Sequence, residues 1–496
     1  MGPRAFAKPW RIVSIVLPVV AALELACAPA SLPPVPQILV VADTDLPVPL
    51  VSRLRVDLYR EDGTWFESRD YARPDPRDWP ASFSVYADDD GRDHLIWVRL
   101  RVYRDGGEIT YRGERFRRWD TPFSSRETSL EPRLLQEGRD VTPLLVPAPL
   151  ETVDRLLAVR IGPNSSGSLY VLLRGTCIGT MARLGPDGRP RLGESESCVD
   201  TEKTWAKVAP SPLAPRGAAA VAPRVGTWLT STCPNDDGSS SRVCIPGGAT
   251  LLGSEGETGE AFQSDGSASL PIVRLFGVHG YALDRYEVSV RRFRDAIARG
   301  YNGPRPSQDQ PRCNFKDAAG SVDELPVNCI TWDAARAFCQ FEGGDLPTEV
   351  QWEHAASVAG FREKSAFPWG PESPECKDAV YERDDGDLRV TRQCAALGVG
   401  PQPVGAAARD ATPLGVRDLF GSMQEWTRDY FERYRTARWA AMPLVDPECK
   451  DDDENNRSVR GVSWNTTANI TSERFFVGPS ASGIGLGFRC AYEAPR

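Results

Sequence analysis

Apolar and polar residues follow different periods in the two halves of the chain. Between 38 and 205 the apolar positions recur at every second residue. Leu54, Val56 and Leu58 alternate with Arg55 and Asp57, and Ile96, Val98, Leu100 and Val102 alternate with Trp97, Arg99, Arg101 and Tyr103. Strand side chains point alternately to two faces, so this pattern predicts half-buried strands. The Asp62-Gly63 turn, the Trp65-Phe66 pair after it and the run Leu169 to Leu173 fit the same reading. Repeated strands and turns predict an antiparallel, immunoglobulin-like β-sandwich over 38–205, with no catalytic constellation in it.

From Cys244 the period changes. Ser289 precedes Val290, Phe293 and Ile297, which share one helical face, and Gly300 follows Arg299. A serine cap and a glycine stop predict a helix over 290–299. Thr331 opens a second helix through Phe341, ended by Gly343-Gly344, and Thr348 with Gln351 makes a capping-box pattern for a third through Trp352. Turn-rich sequence surrounds them, so 244–496 reads as an α+β domain with a large irregular fraction. Between the halves, 206–243 carries Pro210, Pro212, Pro215 and Pro223 and reads as a linker.

The start of the chain reads as an address. Arg4, Lys8 and Arg11 precede the apolar run Ile12 to Leu23. A run of about a dozen residues is short for a bilayer and suits a signal peptide. Residues 1–26 therefore read as a lipoprotein-type signal with Cys27 as the lipidation position, although Glu24 departs from the apolar residue usual there. An ordinary cleaved signal and an uncleaved anchor are the alternatives. Residues 27–37 form a Pro-rich tether. Each reading puts the mature chain outside the cytoplasm, and the first places it in a bacterial cell envelope, held to the membrane by its N-terminal lipid.

Cysteine usage agrees with export. Of the 12 Cys, eleven lie beyond Cys27, and none forms a CxxC, which argues for disulfides and against a zinc or thioredoxin-type site. Spacing pairs Cys177 with Cys198, Cys233 with Cys244, Cys313 with Cys329 and Cys376 with Cys394; of the remaining Cys339, Cys449 and Cys490, Cys449 is the candidate for the odd thiol. The net charge of −9 argues against a nucleic-acid partner. The three His residues, His94, His279 and His354, are too dispersed for a two-His metal motif. Asp88-Asp89-Asp90 before Gly91 reads as a solvated turn, with calcium binding as the lesser alternative. Gly483-Ile484-Gly485-Leu486-Gly487 is followed by no helical pattern, so its glycines serve tight turns rather than a phosphate loop.

An ordered set of motifs adds a resemblance. Ile245-Pro246-Gly247-Gly248 leads to Asp284-Arg285-Tyr286-Glu287-Val288-Ser289, then Pro326-Val327-Asn328-Cys329 and Gly343-Gly344-Asp345-Leu346-Pro347-Thr348-Glu349. Phe367-Pro368-Trp369-Gly370, Gly421-Ser422-Met423-Gln424-Glu425-Trp426, Arg460-Gly461-Val462-Ser463-Trp464 and Gly487-Phe488-Arg489-Cys490 follow. In this order and spacing, 244–496 resembles the formylglycine-generating enzyme (sulfatase-modifying factor) family.

The resemblance implies a variant of the C-type lectin fold. It implies a disulfide between Cys339 and Cys490, whose loop of about 150 residues is worth ~4–5 kcal/mol in the chain-entropy model. It implies one Ca²⁺ at the loop of Ser422, Met423 and Glu425, through carbonyl and carboxylate oxygens. In the region of the family's other calcium loop stand Cys376 and Cys394. The family enzyme oxidises a substrate cysteine with O₂, using two cysteines that bind copper, since Cu(I) prefers soft thiolates. Here those positions are Thr466 and Thr471, and no Cys occurs between Cys449 and Cys490. Ser463, Trp464 and Trp426 are retained as shapers of the groove. The usual activity is therefore expected to be absent, with no copper or iron bound. Iron-dependent members take their ligands mainly from a His-rich helical domain that has no counterpart in this sequence. The expectation is an exported pseudoenzyme whose domain binds a peptide or a polysaccharide. The alternatives are an enzyme with altered, metal-dependent oxidative chemistry and a structural envelope or assembly protein, with an envelope protein as the other partner class.

Overall fold

The computed structural model describes residues 36–493 apart from 88–90, 105–113, 118–134, 137–138, 141–150, 164, 200–204, 216–220, 232, 234–240, 254–273, 385–392, 434–435 and 452–454. The signal segment, Cys27 and Asp88 to Asp90 lie outside the described residues. Among the described residues no helix is long and apolar enough to cross a membrane.

The first half is built on two sheets. One has the strand order Ala214–Pro215, Ser166–Leu173, Gln37–Thr44, Ala81–Tyr86; the other has Glu114–Arg117, Trp65–Ala72, Arg53–Tyr59, His94–Tyr103, Val153–Ile161. Ile38, Val40 and Ala42 from the first sheet and Leu54, Val56, Val98 and Leu100 from the second share one core. The second sheet is antiparallel throughout. In the first, Gln37–Thr44 runs parallel to Ser166–Leu173, in register from Gln37↔Ser166 to Thr44↔Leu173. This corrects the expectation of a wholly antiparallel architecture. Alternation marks which residues face inward; it carries nothing about the direction of a partner strand more than a hundred residues away.

The polar phase of the alternation is also buried. Arg53 pairs with Asp70 (2.8 Å), Arg101 with Asp57 (2.7 Å) and Arg99 with Asp154 (2.7 Å), all nearly free of solvent. The chain after Gly175, pinned by the Cys177–Cys198 disulfide, crosses this face. There the Ala182 N–H donates to Asp154 (2.9 Å), and Arg155 donates to the Cys198 carbonyl (2.6 Å). Charges covered in this way persist because each is paired and hydrogen-bonded.

Part of the segment read as a linker is built into the fold. Trp205–Lys207 pairs with Glu196–Cys198, and Ala214–Pro215 pairs with Gly167-Ser168. Trp228 is buried in the first core, so close to Gly175 and Gly277 that a Cβ on either would stand 2.3 Å from the indole of Trp228 or 2.9 Å from it, respectively. Proline excludes helix, but it does not exclude packing.

In the second half the caps act where the sequence places them. Ser289, Thr331 and Thr348 each accept a backbone N–H at the start of α1 (Val290–Ala298), α2 (Trp332–Phe341) and α3 (Glu349–Ser357). Phe293 stacks on Phe338 (centroids 4.8 Å apart), and Phe315 and Phe488 close the aromatic core. Ala491–Tyr492 pairs with Tyr281–Asp284, which pairs in turn with Arg242–Ile245. Gln424–Tyr430 lies inside a second sheet, between Arg457–Arg460 and Leu486–Gly487. The disulfides are Cys177–Cys198, Cys233–Cys244, Cys313–Cys329, Cys339–Cys490 and Cys376–Cys394. Cys449 is a free, buried thiol.

α3 is buried along its whole length, past the Trp352 at which the sequence pattern stops. Glu349 and Glu353, one turn apart, face two arginines. Glu349 accepts from Arg474 Nη2 (2.6 Å) and Arg460 Nη1 (3.2 Å), and Glu353 pairs with Arg460 and Lys364. Removing one partner of such a network leaves a buried charge uncompensated. Glu349→Gln is expected to lower unfolding stability in urea by about 3–5 kcal/mol. Glu324→Gln, which breaks the exposed pair with Arg291, is expected to cost under about 1 kcal/mol.

Candidate functional site

The candidate site begins at a turn that only glycine enters without strain. After strand Arg457–Arg460 the chain turns at Gly461, with φ +81°. Val462, Ser463 and Trp464 then pass through the interior. Ser463 Oγ donates to Asn465 Oδ1 (2.6 Å), and the Ser463 N–H donates to Thr466 Oγ1 (3.0 Å), which donates to the Ser463 carbonyl (3.1 Å). The Trp464 indole N–H donates to the Ile484 carbonyl (3.1 Å). A Cβ on Gly485 would sit 2.3 Å from Ser463 Oγ, so the glycine-rich run is what lets the two segments touch.

Residues 382–383 form the next layer. The Glu382 N–H donates to the Thr466 carbonyl (3.1 Å), and the Arg383 N–H donates to the Trp464 carbonyl (2.7 Å). Glu382 holds a left-handed φ of +49°, a conformation costly for a residue with a side chain. Among the described residues, Glu382 Oε2 and Thr471 Oγ1 are buried without a hydrogen-bond partner. The Thr466 hydroxyl donates once and accepts once within its own turn. Two hydroxyls here supply none of the soft sulfur ligands that Cu(I) needs.

Three residues assigned to the groove do not form its wall. Ser463, Trp464 and Trp426 are fully buried, and the Trp426 indole is committed to the Ile330 carbonyl (3.0 Å). They support the surface from beneath, because large aromatics gain most from complete burial. The surface itself presents Asn465, exposed Thr467, Asn469 and half-buried Trp369, with the Arg409 guanidinium 5.6 Å from the Trp369 ring.

The loop expected to hold calcium has a different task here. Both Glu425 oxygens accept from Arg489 (2.6–2.9 Å), and Oε2 also accepts from the Trp352 indole (2.8 Å). Ser422 Oγ and the Met423 N–H both donate to Glu287 (2.9 Å each). A cation bound by Ser422, Met423 and Glu425 would have to take Glu425 from Arg489, so these residues do not fit Ca²⁺ in this arrangement. Among the described residues no group of three or more His, Cys, Asp or Glu could hold a metal ion. His354 is buried beside the Pro246 carbonyl (3.1 Å), His279 pairs with Asp446 at the surface (2.6 Å), and His94 begins a strand of the first half.

Glu287, Asp410 and Asp418 were not singled out by the sequence, although Glu287 stands inside a quoted motif. Asp410 accepts from the Phe420 and Gly421 N–H groups (3.1 and 2.8 Å), and Asp418 accepts from Gly405 N–H (2.5 Å). With Glu425 they place four buried carboxyls around one guanidinium. Burial, with the Asp418 and Glu425 charges, holds Glu287 well above the carboxylate range. Burial pushes Asp410 up to about 6 and, with the Asp410 charge, Asp418 up to about 7.

A carboxyl raised above its unfolded value of 3.8 holds its proton more tightly in the folded chain. The stability it contributes is complete below 3.8 and is lost as pH rises through 7. The melting temperature is expected to fall between pH 5 and pH 8 by on the order of 5 °C. Asp418→Asn, which keeps the acceptor for Gly405, is expected to flatten that fall and to gain most at pH 8. Thermal melts of both chains across the range check it.

Comparison with known proteins matches the same region. The model of the sulfatase-modifying factor enzyme 1-like domain family covers residues 231–494, slightly more than half of the chain. A hercynine oxygenase of Mycolicibacterium smegmatis is 26% identical over 272 residues, 48% of this chain and 57% of its own. The inactive C-alpha-formylglycine-generating enzyme 2 of Bos taurus is 30% identical over 180 residues, 35% of this chain and 52% of its own. A formylglycine-generating enzyme of Thermomonospora curvata is 27% identical over 51% of this chain and 93% of its own. The chain thus spans about half the length of the first two. By the match over 231–494, it belongs to the sulfatase-modifying factor enzyme 1-like domain family.

Proposed function

We propose that this protein is a binding member of its family: exported, held to the membrane through a lipid on Cys27, and offering the surface around Asn465 and Trp369 to a peptide or polysaccharide. On this reading the two N-terminal sheets form an immunoglobulin-like spacer, and the family domain is a C-type-lectin-related variant. One observation carries the proposal. Thr466 and Thr471 stand where the resemblance implies copper-binding thiols, and the Thr466 hydroxyl donates once and accepts once within its own turn. A bovine protein named as inactive is among the relatives. An indole, a guanidinium and amide side chains suit hydroxyl-rich or amide-rich ligands. Glu382 Oε2 and Thr471 Oγ1 offer buried polar atoms still without a bond.

A second reading, altered oxidative chemistry, is favoured by the oxygenase among the relatives. Copper and oxygen separate the two. The purified chain is expected to hold no stoichiometric copper or iron and to consume no O₂ with a cysteine-containing peptide. A double variant, Thr466→Cys with Thr471→Cys, is expected to gain Cu(I) binding. Stoichiometric iron or copper in the native protein would move the oxidative reading to first place. Binding to glycan and peptide arrays, lost in Trp369→Ala, would support the binding reading.

A further inference from the structure

A cavity of about 680 Å³ lies where the two halves of the chain meet, far in sequence from the Ser463 turn. Leu50, Trp228, Leu251 and Phe361 contribute apolar wall, and His354 lines it from α3. Sites for small molecules are concave, mainly apolar, carry a few placed polar groups and fall in this range of volume.

Trp228 and His354 of the lining each carry an orphaned polar atom. The Trp228 indole N–H and His354 Nδ1 are buried without a hydrogen-bond partner, and the two residues are only 6% and 3% exposed. His354 Nε2 faces the Pro246 carbonyl at 3.1 Å and acts as its donor, which leaves Nδ1 as an acceptor. Burial holds this imidazole down to about 4, so it is neutral at pH 7. Trp228 and His354 therefore present one unused donor and one unused acceptor. Lys364 and Arg104 each have an acid as neighbour. The Lys364 ammonium donates to the Leu251 and Gly253 carbonyls and pairs with Glu353, and Arg104 lies in the field of Glu151. Arg362 and Glu363, one charge of each sign, are exposed at the rim.

We propose that this cavity is a binding site for a neutral, apolar small molecule bearing an amide, whose carbonyl accepts from Trp228 and whose N–H donates to His354. A group that leaves either atom unbonded keeps the penalty of a buried, unsatisfied polar atom, so the site discriminates by hydrogen bonding as well as by shape.

Two probes of one shape test it on the full chain: N-benzylacetamide, and benzylacetone, in which a methylene replaces the N–H. Binding is read from the indole N–H resonance of Trp228, assigned by its loss in Trp228→Phe. N-benzylacetamide is expected to shift that resonance saturably, and benzylacetone to bind at least about fivefold more weakly. A Cβ on Gly248, another lining residue, meets nothing within 4 Å, so Gly248→Phe is expected to fill the space, keep the melting temperature and abolish the shift. If Gly248→Phe melts early, Gly248→Leu repeats the test, and the two-probe comparison needs neither variant. No saturable shift would overturn the proposal and leave the orphaned atoms to buried water. Equal affinity for the two probes, or a shift that survives in a folded Gly248 variant, would overturn it too.

Discussion

Arg489 spends all five of its N–H groups inside the second half of the chain. Nε and Nη2 hold the two oxygens of Glu425, Nη1 reaches the carbonyls of Asp284 and Arg285, and the rest of Nη2 reaches those of Arg417 and Asp418. Both side chains of the pair are essentially without exposure. A guanidinium is costly to bury unless every donor is used, and its planar fork is what allows that here. One side chain thereby fixes the 284–285 turn, the 417–418 turn and the loop carrying Glu425. Trp352 of α3 leans on the same carboxylate. The Met423 backbone that results is held by Glu287, and Ser422 accepts the N–H of Trp464. The candidate site is therefore positioned by an ion pair that never meets its surface.

What could be read from sequence follows from how local each cause is. Ser289, Thr331 and the Thr348/Gln351 box act within one turn, so the three helices were visible as caps and apolar faces. Four disulfides join cysteines close in sequence, and spacing alone paired them. The Cys339–Cys490 bond came only with the family resemblance. Glu287, Asp410 and Asp418 converge from segments more than a hundred residues apart, with no periodicity to reveal them. The same holds for the parallel pairing of Gln37–Thr44. Ser463, Trp464 and Trp426 were legible as parts of the ordered motifs, but their depth below the surface is set by the Gly485 approach and by packing.

The two buried acid groups in the family domain solve opposite problems. Around Arg489, four carboxyls share one full cation, and protons fill the deficit. Around α3, two glutamates share Arg460, Arg474 and Lys364. Glu349 is held below its usual range: burial alone would raise it, but Arg474 and Arg460 outweigh that. Both groups support neighbouring backbone. The first ties the fold to pH near neutrality, and beside the second so does Asp429, which burial and the Glu349 charge push up to about 7.

The pairing of Ala491–Tyr492 with Tyr281–Asp284, and of Cys490 with Cys339, sets an order of assembly. A ribosome that has passed residue 430 has already made every capped helix described here, yet it has not made Arg489. Until then Glu425 lacks its cation and the central strand lacks its neighbours. The domain must remain open over most of its synthesis, since contacts this distant in sequence form late. A stitch of this kind keeps the domain open until the segment around Arg489 is made.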